Sequence, residues 1–151
     1  MIAFSATAKI NDGPLLALRA LLTAPPAADV GVFASAGADV VKRATINEFG
    51  GDKGNNPPRR SFIVSTLSLH NKVYAALISR GVRTAIQSGK PQAATEAVEA
   101  TAERYKRDIG RRIDAGISPR NAPSTVARKG FNHPLIETGE MKRSLAWRVR
   151  E

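Results

Sequence analysis

The sequence contains no cysteine and only two histidines among its 151 residues. The absence of cysteine excludes disulfides, thiolate zinc sites and a cysteine nucleophile. His70 and His133 are far apart in sequence, which argues against a histidine-rich metal site. No stretch reaches the roughly 18 apolar residues that a membrane span needs, and no basic region precedes the short apolar run at the start. We therefore expect a soluble protein made in the cytosol, without a cofactor or a membrane partner.

Acidic residues are also few, and aromatic residues are scarce. The chain has 23 Lys and Arg against 13 Asp and Glu, a formal net charge of +10. Such an excess makes nucleic acid or an acidic protein surface the first partner to consider. Aromatic residues make up only 5% of the chain, which leaves few platforms for base stacking. The two interpretations are a solvated basic surface and a surface that contacts DNA.

The length predicts one domain covering residues 1–151, because a chain of this size buries about two-thirds of its unfolded surface. Strict alternation of apolar residues over residues 2–10 predicts a first strand. Pro14 and a leucine-rich run then predict a helix that ends before Pro25 and that is apolar enough to pack against a sheet. A β-favouring run predicts a second strand over Asp29–Ser35.

A short helix is predicted over Ala38–Phe49, closed by glycines at 50 and 51. Residues 50–58, rich in Gly, Asn and Pro, are then predicted to form a flexible loop. A long helix follows from Arg59 to about Ser88, with two adjoining apolar stripes that are typical of a helix buried on two sides or shared with a partner. Gly81 is a candidate for a bend in it.

The second long helix is predicted over Gln92–Ala115, with small residues that permit close packing on another helix. Its charged second half favours a solvated face with the ion pairs Glu103–Arg107 and Asp108–Arg112, the alternative being a ridge that faces DNA.

The C-terminal part predicts a short helical turn over Ser124–Lys129 and a helix over Gly139–Leu145 with Thr138 as its N-cap. The chain then alternates as a last strand, in which Trp147 is a sheet or interface anchor, and which we expect to pair with the first strand. The predicted class is α+β, with a small antiparallel sheet of N-terminal, middle and C-terminal strands packed on one or two long helices.

Three features with superficial catalytic character have ordinary explanations. The run Gly50–Gly54 lacks the spacing of a phosphate-binding loop. His133 has no residue placed to orient it, so we expect a surface histidine. Glu48 and Glu137 are expected to act as a helix cap or in ion pairs. We therefore predict that the protein is not an enzyme.

Three short sequence elements follow one another along the chain. The first is Glu48-Phe49-Gly50, the second is Pro58-Arg59-Arg60-Ser61-Phe62, and the third combines Pro134-Leu135, Thr138-Gly139 and Ser144. Together they resemble motifs of the neck and tail-completion (minor tail, virion morphogenesis) proteins of long-tailed double-stranded DNA bacteriophages. Ser61 stands where that family more often has a second proline.

The resemblance implies a mixed fold with a small antiparallel sheet on a long helix. It further implies a structural virion protein at the neck or top of the tail, made in the host cytoplasm. Such a subunit forms a homo-oligomeric ring around the DNA passage, and its neighbours are connector or neck proteins and tail-terminator or tail-tube proteins.

The alternative is a basic DNA-binding module, for example a helix-turn-helix that uses Gln92–Ala115. A toxin or nuclease with unrecognised carboxylates is a third hypothesis. DNA binding weakens steeply with salt, whereas an apolar subunit interface does not.

Overall fold

The computed structural model describes residues 11–51 and 57–150. In chain order its elements are α1 (Gly13–Thr23), β1 (Ala27–Val32), a 3₁₀-helix (Ala34–Ala36), α2 (Ala38–Phe49), α3 (Val64–Ser88), α4 (Gln92–Ala115), α5 (Pro123–Lys129), α6 (Glu140–Arg143) and β2 (Leu145–Arg150). The predicted α+β class is confirmed, because a small antiparallel sheet packs on long helices. Across the described ranges, no helix is both long and apolar enough to cross a membrane.

The sheet pairs β1 with β2 in antiparallel register, with Ala27 opposite Arg150 and Val32 opposite Leu145. Both strands pack on α4. The predicted C-terminal strand is confirmed. The middle strand begins and ends earlier than predicted, since the chain leaves the sheet at Phe33 and enters the 3₁₀-helix. The strand predicted over residues 2–10 lies outside the described residues, so its pairing with β2 stays a prediction.

Helices α3 and α4 form the largest helix–helix contact of the described fold. The bounds of α4 are those predicted, and its small residues allow the close approach expected of them. A Cβ built on Gly81 of α3 would lie 2.1 Å from the Cβ of Ala97 in α4. Because α3 continues through Gly81 without interruption, the glycine makes room for the neighbouring helix.

The prediction for helix α1 is wrong. Helix α1 packs mainly on α3, and it turns its small residue Ala17 inward while Leu15, Leu16 and Leu22 stay 60–75% exposed. Helix α3 was predicted to be buried on two sides or shared with a partner. It buries Thr66, Tyr74 and Ala85, but the stripe of Leu69, Val73 and Leu77 is exposed. The described residues therefore do not bury α3 on two sides, and its sharing with a partner stays a prediction.

The core lies between α2, the second half of α4, α6 and the sheet. Its buried members are Val40, Ala44, Phe62, Ile109, Ile113, Ile117, Met141 and Leu145. Helix α2 has the predicted bounds, and Gly50 ends it with a φ of 93°, a left-handed value that glycine adopts without a steric penalty. The predicted loop over 50–58 is described only at its ends, where the Gly51 N–H donates to the Pro57 carbonyl at 2.9 Å.

The short C-terminal helices differ slightly from their predicted bounds. Helix α5 begins at Pro123, and Gly130 ends it in a left-handed conformation, as expected. Helix α6 covers only Glu140–Arg143, with Gly139 at the N-cap position and a φ of 75°. The Thr138 hydroxyl still accepts the Glu140 N–H at 3.3 Å. Thr138 therefore caps this helix from one position further out than predicted.

Candidate assembly site

Glu48 of the first motif is almost fully buried, and its carboxylate lies at the start of α3. One oxygen, Oε2, accepts the backbone N–H groups of Phe62 at 2.8 Å and Ile63 at 2.9 Å. The other, Oε1, accepts the Ser61 hydroxyl at 2.6 Å and the Val64 N–H at 3.1 Å. These amides have no partner within the helix, so a carboxylate at this end satisfies them and complements the helix dipole.

The hydrogen bonds to Glu48 also determine its ionisation. Burial alone raises the pKa of this carboxyl, but the bonds from Ser61 and from the amides of Ile63, Phe62 and Val64 hold the net pKa below its ordinary value. The carboxylate is therefore charged at neutral pH. The predicted cap role of Glu48 is confirmed, and the cap explains why α3 begins at Val64 and not at Arg59.

Arg60 of the second motif is the other buried charged residue of this region. Its Nε donates to the Pro119 carbonyl at 2.7 Å and its Nη2 to the Arg120 carbonyl at 3.0 Å. Its backbone N–H donates to the Asn47 carbonyl at 2.6 Å. Burial lowers the pKa of this guanidinium. Arg60 thus ties the end of α2 to the connector that precedes α5.

Two further bonds join the first and second motifs to the core. Arg59 Nε donates to the Glu48 carbonyl at 3.1 Å. Tyr105 of α4 donates its hydroxyl to the Ile63 carbonyl at 2.8 Å, and burial together with the charge of Glu48 raises its pKa to about 12. The Phe62 side chain is fully buried in the core.

The third motif lies across a cleft from the second motif. Pro134 is buried, and Leu135 adopts a left-handed φ of 66° that is uncommon for a residue other than glycine. Lys129 of α5 spans this segment by donating to the carbonyls of His133 and Ile136. In the following turn the Ser144 hydroxyl donates to the Glu140 carbonyl at 2.9 Å.

These walls enclose a cleft of about 250 Å³. We call the region around it the motif junction, meaning Glu48, residues 58–62 and residues 134–141. Two ion pairs lie at the cleft, Arg43 with Glu140 at 2.5 Å and Arg128 with Glu137 at 2.5 Å. Each pair is about half exposed, so each contributes little to stability. From the motifs, the residues that line the cleft are Pro58, Arg60, Leu135, Thr138 and Gly139.

The other predicted positions do not line the cleft, and three of them also lie outside the hydrogen-bonded contacts described above. Phe49 is 68% exposed, and Gly50 serves as the C-cap of α2. Trp147 lies in β2 opposite Val30, and its indole N–H donates to Glu103 at 2.7 Å. Trp147 was predicted to anchor a sheet or an interface, and its observed place is in the sheet.

The sequence interpretation missed Arg43 and Asn121, which also line the cleft. Arg43 precedes Asn47 by one helical turn and therefore shares its face, a spacing that could have placed it near the first motif. No comparable signal points to Asn121, whose amide nitrogen is buried without a hydrogen-bond partner in the described structure.

The basic residues of α4 are largely paired, but not in the pairs predicted. Arg104 and Arg111 flank Asp108 at 3.7 and 3.5 Å. Lys106 contacts Glu103 at 2.8 Å. The expected pairs Glu103–Arg107 and Asp108–Arg112 are not among the ion pairs of residues 57–150. Ion pairing along this face is therefore confirmed in kind but not in the two example pairs, and a ridge that faces DNA stays the alternative prediction.

His133 is half-buried, which corrects its prediction as a surface residue. Its ring nitrogens lie 3.0 Å from the carbonyl oxygens of Pro134 and Asp114. Within residues 11–51 and 57–150, no cluster of three or more His, Asp or Glu side chains could hold a metal ion.

Comparison with protein-family models, with curated proteins and with solved structures gives no match for this chain.

Proposed function

We propose that this chain is a non-enzymatic neck or tail-completion subunit of a long-tailed DNA bacteriophage. It forms a ring that joins the connector side of the head to the tail around the DNA passage. The observation that carries the proposal is the motif junction. The first motif is bonded to the second through Glu48, and the second and third motifs, which are far apart in sequence, meet around one cleft.

The chemistry of the motif residues fits a structural role. Glu48 and Arg60 direct their side-chain hydrogen bonds to backbone groups and to Ser61. A side chain that is bonded in this way holds chain segments in position. These bonds fix the two ends of the segment predicted as a loop, at Gly50 and at residues 58–62.

The exposed apolar residues of α1 and α3 also favour assembly. Contiguous apolar surface on a protein often marks a contact with another protein. In a ring the neighbours would be further copies of this chain, with the connector or neck proteins above and the tail-terminator or tail-tube proteins below. A virion location at the neck or top of the tail belongs to the same proposal.

Light scattering of the purified protein at low and high salt, with duplex DNA added in parallel, tests this proposal. We expect a mass of several subunits, closed rings in negative-stain electron micrographs, and no tight binding of DNA. A monomer or dimer that binds duplex tightly and releases it steeply as salt rises would contradict it. That result would favour the alternative, a basic DNA-binding module, over any ring.

A further inference from the structure

A second cleft of the molecule is lined mostly by basic residues. It lies between α4 and α6, has a volume of about 400 Å³, and shares no lining residue with the cleft of the motif junction. Its charged lining consists of five cations and a single carboxylate: Lys106, Arg107, Arg111, Lys142, Arg143 and Asp114. We call these six residues the basic cleft.

Two segments that are far apart in sequence supply the cations. Lys106, Arg107 and Arg111 belong to α4, where the cleft positions recur at spacings of three and four residues and therefore share one side of the helix. The other two cations belong to α6. A Cβ built on Gly110 would lie 3.6 Å from the Lys142 side chain, so the two helices are adjacent at this point. The fold therefore concentrates positive charge that the sequence distributes over two elements.

The carboxylate of the cleft does not balance its cations. Asp114 is bonded to one of them, since Lys142 Nζ lies 2.6 Å from both of its carboxylate oxygens. Arg107 and Arg143 are exposed, and neither forms an ion pair within the described residues. Arg143 instead donates to the Thr138 carbonyl at 3.0 Å. Two guanidinium groups of the cleft thus have no carboxylate partner.

The two paired cations of α4 also remain accessible to an anion. Lys106 contacts Glu103 at 2.8 Å and its side chain is 31% exposed. Arg111 lies 3.5 Å from Asp108 and its side chain is 77% exposed. Arg107 and Arg111 are one helical turn apart, and like charges at this spacing repel each other. A bound anion would relieve that repulsion.

The rest of the lining indicates which kind of anion fits. Leu145 is its only apolar side chain, and that residue is itself buried. An interface with a protein has a well-packed centre that is depleted in charged residues, and the basic cleft offers no such centre. No aromatic side chain is among its described lining residues, so it has no platform on which an unpaired base could stack. Exposed Arg and Lys side chains instead suit phosphate groups, which supply essentially all of the affinity in sequence-independent binding to duplex DNA.

We propose that the basic cleft binds the phosphate backbone of double-stranded DNA, weakly and without regard to sequence. The inference rests on the proposed function, because it names the surface that each copy in the ring would turn toward the DNA passage. Contacts of this kind have dissociation constants of about 1–100 µM at physiological salt and allow a protein and DNA to slide past each other. Tight binding by an isolated subunit would instead mark the DNA-binding module.

The test compares two variants of the full chain that lose the same charge. Arg107→Gln with Arg111→Gln removes two cations of the basic cleft. Arg80→Gln with Arg83→Gln is the matched control, since both residues are exposed on α3, which contributes no residue to the lining. Fluorescence anisotropy of a labelled duplex measures the affinity from low to physiological salt.

The expected result is a change in the salt dependence of binding. Each phosphate contact contributes about 0.9 to the slope of log affinity against log salt concentration. We therefore expect the cleft variant to bind with a slope that is shallower by about 1.8 than that of the wild type. The control should keep the wild-type slope, because its two arginines lie outside the cleft. Circular dichroism and thermal unfolding establish that both variants fold.

Three results would overturn the inference. They are equal slopes for the two variants, a wild type that binds no duplex even at low salt, and stronger binding of polyglutamate than of duplex, which would assign the cleft to an acidic protein. Light scattering on the same samples tests the ring separately. A ring without the expected DNA binding leaves the proposed function standing and removes this site. A monomer with the expected slopes supports the site and contradicts the ring.

Discussion

The motif junction and the exposed apolar residues of α1 and α3 invert the usual positions of charged and apolar residues. At the junction a glutamate and an arginine are buried and bonded to the backbone, whereas on α1 and α3 leucines and valines face outward. A buried charge is tolerated only when its hydrogen bonds are satisfied. An exposed apolar stripe is retained when something covers it in the functional state. The first region therefore stabilises the fold of the chain, and the second is the region that the proposed assembly would cover.

This contrast makes opposite predictions for substitutions in the two regions. Changes at the junction should lower the free energy of unfolding. They should weaken association only by reducing the amount of folded chain. Changes at the exposed apolar residues of α1 and α3 should leave the free energy of unfolding nearly unchanged and act on association directly. Measuring both quantities for each variant separates the two roles.

The largest loss is expected from Glu48→Ala. The change leaves the amides of Phe62, Ile63 and Val64 and the Ser61 hydroxyl without their acceptor. A single buried unsatisfied donor costs about 1–3 kcal/mol. We expect the free energy of unfolding to fall by about 3 kcal/mol or more, as measured by urea denaturation.

Glu137→Ala is the matched control, since Glu137 forms an exposed ion pair with Arg128. Such a pair is worth at most about 1 kcal/mol. Equal losses in the two variants would show that the Glu48 cap does not anchor α3.

The next largest effect is expected from Gly81→Ala. The added methyl would overlap Ala97, whose Cβ lies 2.1 Å from its position. Overpacking of this kind costs about 1–3 kcal/mol. Gly110→Ala is the control, because its Cβ would meet only the Lys142 side chain at 3.6 Å. That variant should be neutral or more stable by up to about 1 kcal/mol, the helix-propensity gain of alanine over glycine. Thermal unfolding of both variants tests this order. A Gly110→Ala variant that is less stable than Gly81→Ala would contradict the prediction.

The positions of several helices could be predicted from sequence because local signals determine their ends. Helix α2 ends at Gly50 and α4 begins after Pro91, and both have the predicted bounds. The beginning of α3 could not be predicted in this way. It depends on a carboxylate sixteen residues before Val64 in the chain, at Glu48, and helical periodicity carries no information about such a distant acceptor.

Burial was the second quantity that the sequence could not provide. The leucines of α1 predict an inward apolar side, but Ala17 faces inward and the larger residues remain outside. Apolar periodicity identifies a side that is covered, and it does not say whether the same chain or another one covers it. Likewise, the three motifs could be found by order and spacing, while the cleft between the second and third motifs became visible only once α5 and residues 134–141 were placed beside residues 58–60.

A smaller effect at the junction is expected from pH. The folded pKa of Glu48 lies below the ordinary value of 4.5. Its charge therefore contributes stability that is fully present above about pH 4.5 and is lost as the pH falls through the folded pKa. We expect the difference in the free energy of unfolding between the wild type and Glu48→Gln to shrink on acidification below that value. Asp29 and Glu103, whose pKa values are also lowered, are common to both proteins and cancel. Urea denaturation across the acid range measures the difference, and one that grows on acidification would contradict the assigned sign.

The smallest change in stability is expected from Leu22→Ser on α1, and this variant separates the two regions most directly. Leu22 is 75% exposed, so its replacement should alter the free energy of unfolding by no more than about 0.5 kcal/mol. Self-association should nevertheless weaken, because an exposed leucine gains free energy only when a partner buries it. Urea denaturation and light scattering on the same preparation test both halves. A variant that unfolds more easily by several times this amount would mean that Leu22 supports the subunit itself. A variant that associates like the wild type would remove α1 from the contact and leave α3 as the docking helix.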